Sequence, residues 1–269
     1  MPGAAPPAEP EGGGAATKSF KEKLAEDGRV LSGHVVTLPS PIVAQAAAAA
    51  GADCQIFDME HGAFDWATLH ACVAATQGFD CTPGVRLTEI DEGQAKRALD
   101  MGCELVCFPL LRTAEDAARC VAALRYPVAG GVRGVGPFLA HSRWNVPFPD
   151  YARDIGPRAA GLLTIETREA EEHIEAICAV EGVDSLVVAL FDLTMDLGVP
   201  GRLDHPDVAA AVAQVEAAAH AAGIPLGGVA LTPEAAQALK ARGYRLLAGF
   251  DVLLLKQAAA AHAGWARGG

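Results

Sequence analysis

Aromatic residues are scarce in this chain. Phe, Trp and Tyr make up 6% of its 269 residues, although 51% are hydrophobic. The core must therefore be aliphatic and alanine-rich, which suits close packing of helices on a sheet. No apolar run approaches the roughly 18 residues a membrane span requires, so no membrane partner is expected. Basic residues are outnumbered. A net charge of −12 and an isoelectric point near 5.1 leave no basic face for a phosphate backbone, which excludes nucleic acid as a partner. Paired cysteine motifs are missing too. The cysteines at 54, 72, 81, 103, 107, 120 and 178 lie scattered in apolar segments without a Cys-x-x-Cys pair. They read as buried, reduced thiols of a cytoplasmic protein. The opening stretch MPGAAPPAEPEGGGAA lacks the charged start and apolar run of a signal peptide, and residues 1–17 read as a disordered tail. The glycine fingerprint of a dinucleotide-binding sheet is also missing. Gly131-Val132-Arg133-Gly134-Val135-Gly136 has its glycines in the wrong order and no strand before it.

What the chain does contain is a repeated unit: a short apolar run, a polar junction and an Ala-rich helical stretch. Strands are expected at 30–36, 53–58, 82–87, 104–109, 161–166, 184–190, 224–230 and 245–249. The intervening helices carry start signals. Ser40-Pro41 and Thr232-Pro233 place an N-cap hydroxyl before a proline at the first helical position, Asp204-His205-Pro206 makes a similar start, and Thr113 with Asp116 resembles a capping box. Gly102, Gly223 and Gly243 stand where helices end. Eight such units predict a single-domain α/β (β/α)8 TIM barrel over residues 18–269; a doubly wound sheet is the runner-up. One connection breaks the rhythm, about 35 residues from Tyr126 to Ala160. A loop this long is expected to be a lid or an inter-subunit contact rather than a plain surface excursion.

In a barrel the informative residues are polar ones at the C-terminal ends of strands. The segment Ile56-Phe57-Asp58-Met59-Glu60-His61 ends an apolar run in two acids and a histidine, groups suited to proton transfer near pH 7. Arg86 stands two residues after Gly84 in a strand otherwise free of charge, where a guanidinium offers fixed donors to an anion or enolate oxygen. Glu166 ends one apolar run and Asp192 follows another. Together they form an oxygen-only pair suited to a hard divalent ion, Mg²⁺ or Mn²⁺. The competing reading makes each of these acids a helix cap. Asp100, on position alone, reads as a helix-end residue. His34, His70, His173, His205, His220 and His262 have no acid cluster and read as structural, with His141 undecided.

Several separated segments agree in order and spacing with one family: Asp58-Met59-Glu60-His61, Val85-Arg86, Leu99-Asp100-Met101-Gly102, Arg125-Tyr126-Pro127, Arg133-Gly134-Val135-Gly136, Ser142-Arg143-Trp144-Asn145, Ile165-Glu166-Thr167-Arg168-Glu169 and Asp192-Leu193-Thr194. Over roughly residues 29–257 the chain resembles the HpcH/HpaI class II aldolases, metal-dependent pyruvate aldolases on a (β/α)8 barrel. The resemblance implies that His61 is the general base, that Arg86 stabilises the enolate and that Asp100 raises the basicity of His61. It also implies that Glu166 and Asp192 hold a divalent metal ion (Mg²⁺, Mn²⁺ or Co²⁺). A homo-oligomer, trimer or hexamer, is implied, with a C-terminal helix at 251–263 exchanged between subunits. The sequence departs from the family at two places. Thr164 stands where a substrate-contacting Gln is common, and Ala189-Leu190-Phe191 replaces Gly-Pro-Ala.

The expected activity is metal-dependent cleavage or formation of 4-hydroxy-2-oxo acids, from a 2-oxo acid enolate and an aldehyde. His61 would move the proton, tuned by Asp58 and Asp100, while Thr164, Phe191 and Asp192 contact substrate. Two rivals remain: condensation of the enolate with another 2-oxo acid or an acyl donor, in the manner of a citrate synthase, and a non-catalytic small-molecule-binding barrel.

Overall fold

The computed structural model describes residues 17–137, 139–141 and 143–267. The tail expected at 1–17 lies outside these residues except for Thr17. Eight parallel strands close into a barrel in chain order. They are β1 (Leu31–Val36), β2 (Cys54–Asp58), β3 (Thr82–Arg86), β4 (Leu105–Phe108), β5 (Ala160–Ile165), β6 (Ser185–Val188), β7 (Leu226–Val229) and β8 (Leu246–Phe250). The ring is sealed by β8 pairing with β1, Gly33 opposite Ala248. The expected strands are all present and the doubly wound alternative is excluded.

The helices start where their caps dictate. Ser40, Thr113 and Thr232 each accept the backbone N–H three residues on, and Thr113 with Asp116 forms a full capping box. At the Asp204-His205-Pro206 start, the cap is His205, whose Nδ1 accepts from the Asp207 N–H.

Side-chain alternation divides each strand between two apolar clusters. Outward residues such as Phe57, Val85, Val106 and Leu163 pack under the helices. Inward residues including Cys54, Ile56, Leu105, Cys107 and Leu162 fill the barrel. Gly84 has its place for a steric reason. A Cβ there would come within 2.9 Å of the Leu105 Cβ and 3.0 Å of its carbonyl oxygen. At the N-terminal end of the strands the interior is stoppered by a helix, Phe20–Ala25, that the sequence reading did not anticipate. Its Phe20 and Leu24 join the interior cluster, and its buried Lys23 donates to the Asp53 and Asp80 carbonyls at 3.0 and 2.9 Å.

The long connection leaves the helix Ala114–Leu124 and enters β5. That helix runs antiparallel to the strands, so the connection lies at their N-terminal end, away from the mouth. It is therefore not a lid over its own barrel. It is also not structureless: Tyr126, Ala140 and Tyr151 form a small core with Trp144, Val146 and Phe148 packed on it. Arg133 threads this core, its guanidinium carbon 4.6 Å from the Tyr126 ring centroid.

Candidate active site

Strand register builds the centre of the mouth. Asp58 and Arg86 are the last residues of β2 and β3 and stand directly opposite each other. Both therefore point inward on the same face. The Asp58 carboxylate, 0% exposed, accepts from Arg86 Nε at 2.8 Å and Nη2 at 2.6 Å, a two-pronged pair that fixes the plane of the guanidinium. Asp58 also accepts the backbone N–H groups of Glu60 and His61, which folds the chain sharply after β2. Burial disfavours the charge of Arg86, but the hydrogen bonds and charge of Asp58 outweigh it and hold the group firmly protonated.

The carboxylate beside His61 is Glu60. Its Oε2 lies 3.7 Å from His61 Nε2 and 3.2 Å from Arg86 Nη1. Burial raises the Glu60 carboxyl above its ordinary value, against the pull of Arg86 and His61. From sequence, Glu60 has no role distinct from its neighbours and Asp58 is the residue expected to tune His61. Here Asp58 holds Arg86 and the turn, and reaches His61 only through its backbone N–H. The His61 side chain itself is 64% exposed at the rim.

Glu166 follows β5 and is 3% exposed, yet none of its contacts among the described residues is a cation. Its Oε1 accepts from the Leu110 N–H and from the Thr164 hydroxyl, the latter at 2.8 Å. Leu110 has φ 57°, a left-handed conformation uncommon for a leucine, and this turns its N–H toward the carboxylate. Nothing in the sequence flagged it. Neither acid is a helix cap. Thr167 caps the helix Arg168–Glu172, and Asp192 lies inside the first turn of the helix Leu190–Asp196, whose N-cap residue is Ala189. The apolar run before Asp192 thus ends as a strand at Val188, and Leu190 already belongs to the helix. Asp192 carries no hydrogen bond or ion pair to the described residues.

A cavity of about 140 Å³ opens beneath these groups, lined by Arg86, Cys107, Thr164, Phe191 and Asp192 and otherwise by apolar strand residues such as Ile56 and Leu162. Thr164 thus borders the cavity while its hydroxyl is engaged with Glu166. Phe191 is 63% exposed and forms part of the rim rather than an inner wall.

Glu166 and Asp192 are the acids that the sequence pairs for a divalent cation. Glu166 is buried with two neutral donors and no cation among the described residues, so a positive partner would fit it. Among the described residues no group of three or more His, Cys, Asp or Glu side chains is arranged to hold a metal, so a pair of acids would need further oxygens from water or substrate.

Comparison with known proteins agrees with this geometry. The family model for HpcH/HpaI aldolase/citrate lyase matches residues 32–258. The chain belongs to this family. A protein of Salmonella dublin named 4-hydroxy-2-oxo-heptane-1,7-dioate aldolase is 35% identical over 248 residues, covering 90% of this chain and 92% of the relative. One of Rhizobium etli named pyruvate aldolase is 36% identical over 239 residues, covering 88% and 92%. The crystal structure of an HpcH/HpaI aldolase/citrate lyase family protein from Burkholderia cenocepacia J2315 superposes with a TM-score of 0.86 at 32% identity, covering 92% of this chain and 98% of that one.

One residue that the HpcH/HpaI resemblance assigned to the site is not brought to it. Asp100 ends the nine-residue helix Glu92–Asp100, which descends from the mouth. At 1.5 Å per residue it lies roughly 13 Å below the rim. Its partner is the buried Arg133, whose Nη2 donates at 3.0 Å. Burial raises the Asp100 carboxyl despite that partner. Within one chain Asp100 has no contact with His61.

Proposed function

We propose that this member of the family is a metal-dependent aldolase that cleaves and forms 4-hydroxy-2-oxo acids, with pyruvate as the enolate half. The observation that carries this reading is the Asp58–Arg86 clamp set at the mouth beside Glu60, His61, Glu166 and Asp192. Glu166 and Asp192 would hold Mg²⁺, Mn²⁺ or Co²⁺, which when bound supplies Lewis acidity toward the carboxylate and C2 oxygen of a 2-oxo acid.

The remaining work falls to this chain's own groups. In cleavage, the His61 imidazole takes the proton of the substrate's 4-hydroxyl. The C3–C4 bond breaks, its electron pair moves between C2 and C3, and the aldehyde leaves. Arg86 has Nε and one Nη2 hydrogen committed to Asp58. Nη1 stands in an ion pair with Glu60 at 3.2 Å, and the remaining N–H donors, which make no hydrogen bond to the described residues, would meet the charge that develops on the enolate oxygen; the fixed plane avoids reorganisation during the step. The proton on His61 then goes to C3, releasing pyruvate. Glu60 stands beside both groups, its Oε2 3.7 Å from His61 Nε2 and 3.2 Å from Arg86 Nη1.

The aldehyde half is expected to be compact and apolar. Among the described residues Arg86 is the one cation lining the cavity, it is already paired, and the rest of the wall is largely aliphatic. A second substrate carboxylate would find no free charge there.

The active form is proposed to be a homo-oligomer. The C-terminal helix Asp251–Arg267 is anchored by Asp251, which accepts from Thr37 and the Leu38 N–H, but buries no other residue. Its Leu254, Leu255 and Trp265 are exposed, and a groove of about 290 Å³ lined by Ser32, His34, Leu247 and Gly249 runs along β1 and β8. Exchange of this helix with a neighbour would cover both. Asp100 would meet His61 across such an interface, from a second copy. No helix among the described residues is long and apolar enough to cross a membrane.

The test is release of pyruvate and aldehyde from a panel of 4-hydroxy-2-oxo acids, with and without Mg²⁺, Mn²⁺ and Co²⁺. Metal-stimulated release of both products supports the aldolase. Consumption of pyruvate with a second 2-oxo acid or an acyl donor, and no aldehyde formed, would favour the condensing reaction.

A further inference from the structure

A second cavity lies at the opposite end of the barrel from the mouth. It measures about 300 Å³ and sits between the end of the helix Ala114–Leu124, the turn Pro127–Ala129, the segment leading into β5 and the loop before β6. This is within the size range of small-molecule pockets. Its walls mix apolar side chains, Val121, Leu124 and Ala159, with polar ones. Three charged residues reach it. Two of them satisfy each other, since Lys21 Nζ lies 3.2 Å from the Asp184 carboxylate, which also accepts the Gly161 N–H at 2.9 Å.

The third is Arg125, and its guanidinium has no hydrogen bond or ion pair to the described residues. It lies against Gly182, where an added Cβ would come within 1.9 Å of Nη2. A glycine at φ 98° therefore makes room for it and keeps it at the cavity wall. An unpaired arginine at the edge of a partly aliphatic pocket suits a carboxylate on a short hydrocarbon body.

We propose that this cavity is a binding site for a small monocarboxylate, separate from the substrate site, with Arg125 receiving the carboxylate and Val121, Leu124 and Ala159 receiving the chain. The proposal does not depend on the reaction performed at the mouth.

Hexanoate is the probe, titrated calorimetrically into the full-length protein. Thermal melts in the same concentration series provide a second readout, because a ligand bound to the folded state raises the midpoint. One saturable site per chain is expected. Arg125→Met should weaken it by about 10- to 100-fold, the range for losing a charge-assisted bond. Ala152→Leu, which fills the cavity and leaves Arg125 in place, should also weaken it. Asp192→Asn, at the mouth, should leave it unchanged, and 1-hexanol should show no dependence on Arg125. Absence of saturable binding, binding indifferent to both Arg125→Met and Ala152→Leu, or loss of binding in Asp192→Asn would each overturn the proposal.

Discussion

Asp58→Asn tests how the centre of the site is held. Asn keeps the shape of Asp58 but replaces one acceptor oxygen with an NH₂, which would face the Arg86 guanidinium donor to donor. The pair it breaks is buried, with Asp58 0% and Arg86 15% exposed in their side chains. Removing one partner of a buried pair costs about 3–5 kcal/mol. Arg86 keeps Glu60 at 3.2 Å, so the lower end, about 3 kcal/mol, is expected. At about 2–4 °C per kcal/mol for chains approaching this size, the melting midpoint should fall by roughly 6–12 °C. The activity loss has a separate origin. A guanidinium no longer fixed in plane stabilises the enolate oxygen less well, and loss of a single oxyanion donor lowers kcat by about 10²–10³-fold. The assays are thermal unfolding and steady-state pyruvate release at a temperature where the variant is folded. A variant that melts within about 2 °C of the parent and keeps kcat within about threefold would show that the clamp is not what orients Arg86.

His61→Ala should lower turnover by about 10²–10⁴-fold while divalent-metal binding, measured by titration, survives; near-normal cleavage would assign the proton to another group. Glu60→Gln tests the raised carboxyl. A folded-state value above the unfolded one, about 4.3, means that the folded parent holds the proton more tightly and loses stability as pH rises from that value through the folded one. The stability of Glu60→Gln relative to the parent should therefore increase across that window, as read by urea unfolding at several pH values, and a flat difference would contradict the burial argument. For Phe191→Ala, the ratio of kcat/KM for a small aldehyde to that for succinic semialdehyde should fall, within the roughly 1–3 kcal/mol that one contact commands. An unmoved ratio would remove Phe191 from selectivity.

The architecture was legible because each unit carried two agreeing signals, an apolar run and a capped helix start such as Ser40-Pro41 or Thr232-Pro233. The position of Arg86, Asp58 and Glu166 at the mouth followed from the same pattern, since strand ends deliver side chains there. The pairings were less accessible. That Asp58 serves Arg86 rather than His61 depends on the β2–β3 register, and register is a property of two strands together. Leu110 was invisible because its contribution is a backbone N–H set by a left-handed φ. The boundary before Asp192 was missed because Ala189 and Leu190 extend an apolar run that changes from strand to helix. Length alone does not say which end of a barrel the long connection occupies; the direction of the helix Ala114–Leu124 decides that. The helix Phe20–Ala25 did announce itself, through Ser19 and Glu22 as a capping box, but its signal lay close to the tail.

The most direct test of the central claim is exchange of the pyruvate methyl protons with solvent, followed by proton NMR in D₂O with Mg²⁺ present. It asks only whether this site forms an enolate, whatever the aldehyde. The account predicts exchange well above the protein-free rate, dependent on the added metal and strongly reduced in His61→Ala. Exchange no faster than in buffer with Mg²⁺ alone would contradict it.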